Sequence, residues 1–273
     1  MASNFSSKPT LSIVIPVRNE MDNIIPVAQE IDEEIRQHFD YEIIFVNDGS
    51  SDATQERIEQ IQATNPRIRY LAFRSGVGQT EAFDAGFKAA KGEFIATMDG
   101  DGQNDPADLP KMFQALSNAE LVCGVRQHRR DTLKRRMASK IANTSRNWMT
   151  REQITDVGCS LRIFRRSCLK ELKLYHGMHR FLPTMFRIAG YEFVEVPANH
   201  RQRSRGETKY GIWDRFKEGV VDLFAVRWIQ NRSLKYEIVR RSDEYGLGQD
   251  LADHRVSGAG SVQRPVPGSM ADQ

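Results

Sequence analysis

The stretch FIATMDGDGQNDP, residues 94–106, leads from a strand pattern through an acidic turn into a helix pattern. Apolar residues over 93–98 predict a buried strand. The periodic pattern over 106–118, with Asp105 at the N-cap position, predicts a helix. A strand, a turn and a helix in this order are typical of a parallel α/β sheet.

The same alternation continues on the N-terminal side and once more on the C-terminal side. Further strand patterns lie at 11–17, 42–47, 68–73 and 120–125, and further helix patterns lie at 22–37, 52–64 and 79–90. Asp52 is expected to cap the second of these helices. Apolar strands alternating with amphipathic helices predict an α/β fold, Rossmann-like, with a mostly parallel sheet and helices on both faces.

Polar side chains follow every predicted strand of this sheet. They are Arg18, Asn19 and Glu20, then Asp48, Arg74, Asp99, Asp101 and Arg126. Because ligands bind beyond the carboxyl ends of the strands in open α/β sheets, this edge is the predicted site.

Asp99 and Asp101 lie two residues apart on the turn after the fourth strand. Carboxylates this close repel each other unless a cation lies beside them. Mg²⁺ and Mn²⁺ prefer oxygen ligands and keep open positions for phosphate. Gln103 is a further polar ligand candidate, and the glycines of the turn permit close approach of a diphosphate. The turn therefore predicts a Mg²⁺ or Mn²⁺ site that binds a diphosphate.

Two other turns bear on the ligand. VNDGSSDAT, residues 46–54, places Asp48 where it could accept hydrogen bonds from a nucleobase. SGVGQT, residues 75–80, lacks the full pattern of a dinucleotide-binding loop, and no phosphate-binding GxxxxGK[ST] loop occurs. These turns favour a nucleotide ligand and disfavour a dinucleotide cofactor.

The C-terminal half carries two basic segments. HRQRSRGETKYG, residues 200–211, contains Arg201, Arg203, Arg205 and Lys209, which suit either a phosphate-rich ligand or a solvated loop. The run over 126–136 suits anionic lipid headgroups or a charged helix face.

A helix with aromatic and charged residues is predicted near 211–231. Tryptophans and cations suit a bilayer interface, and packing on the protein core is the alternative. No stretch reaches the roughly 20 apolar residues of a spanning helix, and no signal peptide is predicted. Three cysteines without pairing motifs favour a reducing compartment, and the polar segment 242–273 is predicted to be a disordered tail.

Five motifs, in this order, resemble the family 2 inverting glycosyltransferases, in particular the branch of dolichyl-phosphate mannosyltransferases and bacterial polyprenyl-phosphate glycosyltransferases. They are IVIPVRNE, VNDGSSD, FIATMDGDGQNDP, DVGCSLRIFRR and the TKY loop. The resemblance covers about residues 10–232 and implies one catalytic domain of the A-type nucleotide-sugar transferase fold. Its expected reaction moves a sugar from a GDP- or UDP-sugar to a polyprenyl phosphate with Mg²⁺ or Mn²⁺.

The resemblance also implies roles for single residues. It implies that the nucleoside is contacted by Pro16, Glu20 and Asp48. It implies that the metal and the diphosphate are bound by Asp99, Asp101 and Gln103. Arg126 would lie near the donor, Asp156 near the acceptor, and Arg203 and Lys209 against phosphates. Asp101, Asp156, Arg126 and Arg203 are the expected catalytic set.

The sequence departs from the family in two places. The basic loop reads GETKY where many relatives have Ser before Lys, and no spanning helix follows it. We therefore expect a cytoplasmic protein on the membrane surface, recruited by the 211–231 segment, a basic surface or a membrane-protein partner.

Three alternatives remain at this point. A glycosyltransferase acting on a glycan hydroxyl would bind the same donor and would need a carboxylate base, for which Asp156 is the candidate. A sugar nucleotidyltransferase would require a glycine-rich basic loop after the first strand, where this chain has PVRNEMDN. A non-catalytic protein binding a nucleotide or nucleic acid is the third; nucleic acid is disfavoured because acidic strand ends repel a polyanion.

Overall fold

The computed structural model describes residues 9–127, 143–202 and 212–234. The segment 242–273 and the residues Arg203 and Lys209 lie outside the described residues, so their predicted roles stay predictions. The strands are β1 (Leu11–Val17), β2 (Tyr41–Asn47), β3 (Ile68–Ala72), β4 (Phe94–Thr97), β5 (Leu121–Arg126), β6 (Arg162–Arg165) and β7 (Phe193–Ala198). The helices are α1 (Ile24–Ile35), α2 (Thr54–Gln62), α3 (Gln79–Ala89), α4 (Leu109–Ala115), α5 (143–150), α6 (Leu182–Ile188) and α7 (Ile212–Arg232).

The strands form one sheet in the order β3-β2-β1-β4-β6-β5-β7. β1 pairs in parallel with β2 on one side and with β4 on the other, and β2 pairs in parallel with β3. The predicted α/β fold with a mostly parallel sheet is confirmed, and the five predicted strands match to within two residues at each end.

Apolar side chains cover both faces of this sheet. Ile13 and Ile15 of β1 pack in one core cluster with α1, α2 and α4. Val14, between them in sequence, packs in a second cluster with α3 and α6. Alternation along the strand therefore buries both faces, which explains why β1 reads as a continuous apolar run.

The strands β6 and β7 were not predicted. β6 lies between β4 and β5 and is antiparallel to both, while β5 pairs in parallel with β7. The hydroxyl of Thr97 donates to the backbone oxygen of Ser160 at 2.5 Å, just before β6 begins. This insertion brings the 156–161 segment next to the carboxyl end of β4.

The predicted helix over 106–118 begins as a 3₁₀ turn at Pro106–Asp108 and continues as α4. Asp105 caps it, accepting the N–H of Ala107 at 3.1 Å. The helix predicted near 211–231 is present as α7, and no helix in the described ranges is long and apolar enough to cross a membrane.

A buried carboxylate ties three strands together at the edge of the sheet opposite the predicted site. Glu42 of β2 accepts hydrogen bonds from the hydroxyl of Ser12 at 2.6 Å, from Nη1 of Arg69 at 2.6 Å and from the N–H of Lys91 at 2.7 Å. Burial raises the pKa of Glu42, but these hydrogen bonds outweigh it and leave the pKa below its ordinary value.

Replacing Glu42 by Gln is expected to lower the free energy of unfolding by about 1–3 kcal/mol at pH 7, because charge-assisted bonds to a buried group are lost. The contribution of a carboxylate with a lowered pKa is complete above its unfolded pKa and disappears as pH falls through the folded value. Urea unfolding should therefore show the gap between wild type and Glu42→Gln closing as the pH is lowered below about 4.5. The surface variant Asp84→Asn is the control, and a pH-independent gap would contradict the assignment.

Candidate functional site

Parallel pairing brings the carboxyl ends of β1, β2 and β4 to one edge. Val17 pairs with Asn47 in register, and the N–H of Asp48 donates to the backbone oxygen of Val17 at 2.9 Å. The acidic turn 98–103 follows β4, the other neighbour of β1. The polar residues predicted to form the site are therefore presented by adjacent strands.

The carboxylate of Asp99 is held on both oxygens. Oδ1 accepts from Nε2 of Gln79 at 3.2 Å, and Oδ2 accepts from the hydroxyl of Ser160 at 2.6 Å. The N–H of Asp99 donates to Oδ1 of Asn104 at 2.8 Å. Asp99 is partly exposed and follows the end of β4, so this oriented residue lies at the predicted edge of the sheet.

Asp101 and Gln103 lie further along the same turn, which is bent by Gly102 with a φ of 72°. The N–H of Gln103 donates to Oδ1 of Asp101 at 3.1 Å, and Nε2 of Gln103 donates to the backbone oxygen of Arg201 at 3.2 Å. Carboxylate and amide oxygens are donors that suit Mg²⁺ or Mn²⁺.

Within the ranges described above, no three His, Cys, Asp or Glu side chains form a metal cage. The two carboxylates and the amide of the turn fit a cation that completes its shell with diphosphate oxygens and water, as Mg²⁺ does when it binds through one or two carboxylates.

Asp48 holds the loop that precedes α3. Its carboxylate accepts from the N–H of Val77 at 2.7 Å and from the N–H of Gly78 at 3.2 Å. Gly49 makes this approach possible, because a Cβ there would lie 2.3 Å from the carbonyl carbon of Ser75 and its φ is +63°. The predicted contact between Asp48 and a nucleobase stays a prediction.

The other nucleoside candidates lie at the end of β1. Pro16 is the partly exposed residue of an otherwise buried strand. Glu20 is buried, and its carboxylate accepts from Nδ2 of Asn23 at 2.6 Å. Its N–H donates to the hydroxyl of Thr54 at 2.8 Å, which joins the β1 loop to the start of α2. Asp52, predicted to cap α2, accepts the N–H of Thr54 at 3.0 Å, but the N-cap position itself is occupied by Ala53, which makes no side-chain capping bond.

Arg126 and Asp156 form a two-bond ion pair at the end of β5. Nε of Arg126 donates to Oδ2 of Asp156 at 2.7 Å, and Nη2 donates to Oδ1 at 2.8 Å. Gly158 permits this geometry, since a Cβ there would lie 2.6 Å from Nη2. The two residues therefore form one bidentate unit, in which each oxygen of Asp156 accepts a hydrogen bond from the guanidinium.

The basic segment is described only as far as residue 202. Arg201 forms ion pairs with Glu30 and, at 2.9 Å, with Asp105, and its N–H donates to the backbone oxygen of Gln103. Arg201 therefore ties the described start of the segment, up to residue 202, to α1 and to the acidic turn. The remaining cations of the two basic segments fall outside the described residues, namely Arg129, Arg130, Lys134, Arg135, Arg136, Arg203, Arg205 and Lys209.

Sequence reasoning missed several residues at this edge. Ser160 lies in the motif DVGCSLRIFRR and Asn104 lies in FIATMDGDGQNDP, but neither was predicted to be a site residue. Gln79 lies in the turn SGVGQT, which was compared only with dinucleotide-binding loops. Glu195, which accepts the N–H of Thr155 at 2.8 Å, lies in a segment with no local motif. Ser160, Asn104 and Gln79 could have been found as polar residues within recognised sequence motifs. The role of Glu195 becomes visible only in the folded structure.

Curated relatives match most of the chain. A dodecaprenyl-phosphate galacturonate synthase of Rhizobium johnstonii is 36% identical over 223 residues, which cover 79% of this chain and 66% of the relative. An undecaprenyl-phosphate 4-deoxy-4-formamido-L-arabinose transferase of Edwardsiella ictaluri is 34% identical over 216 residues, covering 77% and 66%. This chain thus spans just under two thirds of the length of each relative.

Solved structures share the fold at low sequence identity. A mannosyltransferase from Pyrobaculum calidifontis in complex with GDP-Man and Mn²⁺ has a TM-score of 0.59 at 18% identity, covering 81% of this chain and 64% of that one. Glucosyl-3-phosphoglycerate synthase from Mycobacterium tuberculosis, with Mn²⁺, UDP-Glc and phosphoglyceric acid, has a TM-score of 0.62 at 17% identity, covering 83% and 81%. The family model for Glycosyl transferase family 2 matches residues 12–173, which is more than half of the chain. This protein therefore belongs to glycosyltransferase family 2.

Proposed function

We propose that this protein transfers a hexose or aminosugar from a GDP- or UDP-sugar to a polyprenyl phosphate, in a metal-dependent inverting reaction. The observation that carries the proposal is the acidic turn after β4, where Ser160 and Gln79 orient the carboxylate of Asp99. The relatives at 36% and 34% identity are named for transfer to dodecaprenyl and undecaprenyl phosphate, which supports the acceptor.

In the proposed reaction, Asp99, Asp101 and Gln103 would hold Mg²⁺ or Mn²⁺. The bound metal would supply Lewis-acid stabilisation of the negative charge on the departing nucleotide diphosphate. Ser160 and Gln79 keep the Asp99 carboxylate in place, so that little reorganisation is needed when the donor binds.

Cations supply the remaining stabilisation of the leaving group. The guanidinium of Arg126 is fixed by Asp156, which makes it a preorganised charge near the donor. Arg203 and Lys209, whose segment follows the described residue 202, are proposed to contact phosphates of the donor or the acceptor.

The ion pair of Asp156 favours a phosphate acceptor over a hydroxyl acceptor. A hydroxyl nucleophile needs a base that accepts its proton, whereas the Asp156 carboxylate is held in a two-bond ion pair with Arg126, which stabilises its charged form and makes it a weaker base. A polyprenyl phosphate is already anionic and needs no base. In this proposal Asp156 therefore orients Arg126 and does not take a proton.

We place the protein on the cytoplasmic face of a membrane, with the outer side of α7 as the contact. Val221, Phe224 and Trp228 are spaced along one side of this helix and are 68%, 61% and 63% exposed. Arg232 lies over the Trp228 ring, 6.0 Å from its centroid. Exposed aromatics flanked by cations are typical of helices that lie in a bilayer interface.

The opposite side of α7 packs on the protein. Val226 is fully buried and lies in a cluster with Met178, Phe181 and Met185. Nε2 of Gln230 donates to the backbone oxygen of Thr150 at the end of α5, so α7 is anchored to the domain. A rigid attachment of this kind would hold the outer aromatic side in a fixed orientation toward the lipid surface.

The variants Asp99→Asn and Asp101→Asn are expected to lose at least about 100-fold in turnover, because the metal loses a charged ligand. The assay measures glycolipid formed from a panel of UDP- and GDP-sugars with polyprenyl phosphate and Mn²⁺ or Mg²⁺. Donor binding, measured by calorimetry with Mn²⁺ and with chelator, should fall in parallel.

Asp84→Asn, on the exposed side of α3, is the matched control and should behave as wild type. Donor binding that is unchanged by chelator and by both variants would refute the metal assignment. Metal-dependent donor hydrolysis by wild type without glycolipid would move the acceptor to another class of molecule.

Replacing Phe224 and Trp228 together by Ser is expected to weaken binding to anionic vesicles at least about tenfold, because two aromatic side chains no longer enter the interface. Vesicle co-sedimentation measures this binding. Tyr175→Ser changes an exposed aromatic outside α7 and is the control. Equal vesicle binding by the double variant and wild type would contradict the placement of α7.

A further inference from the structure

The position of the Arg126 guanidinium depends on Asp156. Besides the two side-chain bonds, the N–H of Arg126 donates to Oδ2 of Asp156 at 3.2 Å. The side chains of Arg126 and Asp156 are 17% and 6% exposed, so the pair is largely shielded from solvent. A displacement of Asp156 would therefore move the charge of Arg126 at the site.

Asp156 itself lies in a segment without regular secondary structure, residues 151–158. Hydrogen bonds from side chains therefore set its position. Asn147 of α5 bonds both backbone groups of Ile154, and Nδ2 of Asn143 donates to the backbone oxygen of Thr155 at 3.0 Å. The side-chain amides of α5 therefore hold Ile154 and Thr155, the two residues that precede Asp156.

Glu195 holds the same segment from the sheet side. Its Oε1 accepts the N–H of Thr155 at 2.8 Å and the N–H of Asp156 at 3.4 Å, and its Oε2 accepts the hydroxyl of Thr155 at 2.7 Å. Glu195 lies opposite Cys123 in the β5–β7 register, and Arg126 ends β5. Adjacent strands therefore carry both the guanidinium and the carboxylate that fixes its partner.

Glu195 has a second effect, which comes from its charge. Arg146 is buried, at 7% exposure, and its Nε and Nη1 make no hydrogen bond to any described residue. Burial lowers the pKa of Arg146 to about 10, and the carboxylates of Glu152 and Glu195 act in the opposite direction. The charge of Glu195 thus stabilises the buried Arg146, whereas its hydrogen bonds hold Thr155 and Asp156.

We propose that Glu195 is a positioning residue, which holds the Thr155–Asp156 segment by hydrogen bonds and thereby fixes the guanidinium of Arg126. The inference rests on the proposed function, because it assigns a supporting residue to the same site. It predicts that hydrogen-bonding capacity at position 195 determines turnover, while charge at this position affects only stability.

The variants Glu195→Ala and Glu195→Gln separate these two effects. Both should lower the midpoint of thermal unfolding, because both remove the negative charge that stabilises the charged form of Arg146. Gln can still accept the N–H of Thr155 and donate to its hydroxyl oxygen, so Glu195→Gln should keep turnover close to wild type. Glu195→Ala should lower kcat about 10- to 100-fold with little change in the donor KM, since a misplaced catalytic charge costs about this much.

Glu120→Ala is the matched control. Glu120 also accepts a backbone N–H across β5 and β7, that of Glu192 at 3.0 Å, but at the far end of these strands. It should leave kcat unchanged. Equal loss of kcat in Glu195→Gln and Glu195→Ala, or wild-type kcat in Glu195→Ala, would overturn the positioning role.

Crystal structures of the two Glu195 variants test the inference without turnover. We expect the Arg126–Asp156 pair to be displaced in Glu195→Ala and preserved in Glu195→Gln. An undisturbed pair in Glu195→Ala would overturn the inference. Absence of glycolipid formation by wild type would instead count against the proposed function, and the crystallographic comparison would still decide the role of Glu195.

Discussion

The parallel pairing of β1 with β2 and β4 at the same time is the constraint on which the rest of the site depends. Because the three strands run in one direction, every loop that follows them opens at the same edge. This pairing requires both faces of β1 to be buried, and alternate residues of the strand meet different helix layers. The apolar core and the polar edge are thus two results of one arrangement of strands.

The polar edge is organised so that its charges are held before a ligand arrives. Gln79 of α3 and Ser160 donate hydrogen bonds that fix the carboxylate of Asp99 in the acidic turn. The carboxylate of Asp156 fixes the guanidinium of Arg126. Fixed dipoles and charges of this kind stabilise developing charge with little reorganisation. The same edge therefore presents acidic groups suited to a cation and a basic group suited to phosphate, in separate places.

Local patterns of sequence were sufficient for the first half of the fold. β1 is found at the predicted residues, and the acidic turn lies where strand periodicity ends. β6 was missed because four residues carry too little periodicity, and its place between β4 and β5 depends on contacts remote in sequence. The contacts of Glu195 and Ser160 could not be predicted, since their partners lie 40 and 61 residues away in sequence. Motifs identified residue types, whereas only the fold revealed which of them meet.

The insertion of β6 also has a consequence for the order in which the chain folds. β1 to β4 come from consecutive segments and can pair as soon as residues 11–97 are made, whereas β5 meets the sheet only through β6, a strand that follows it in sequence. Because the chain folds from its N-terminus during synthesis, the N-terminal strands can pair before β5 and β6 emerge. We therefore expect the nascent chain to assemble the acidic half of the edge first, with Ser160 and the arginine-bearing strand joining in a later kinetic phase.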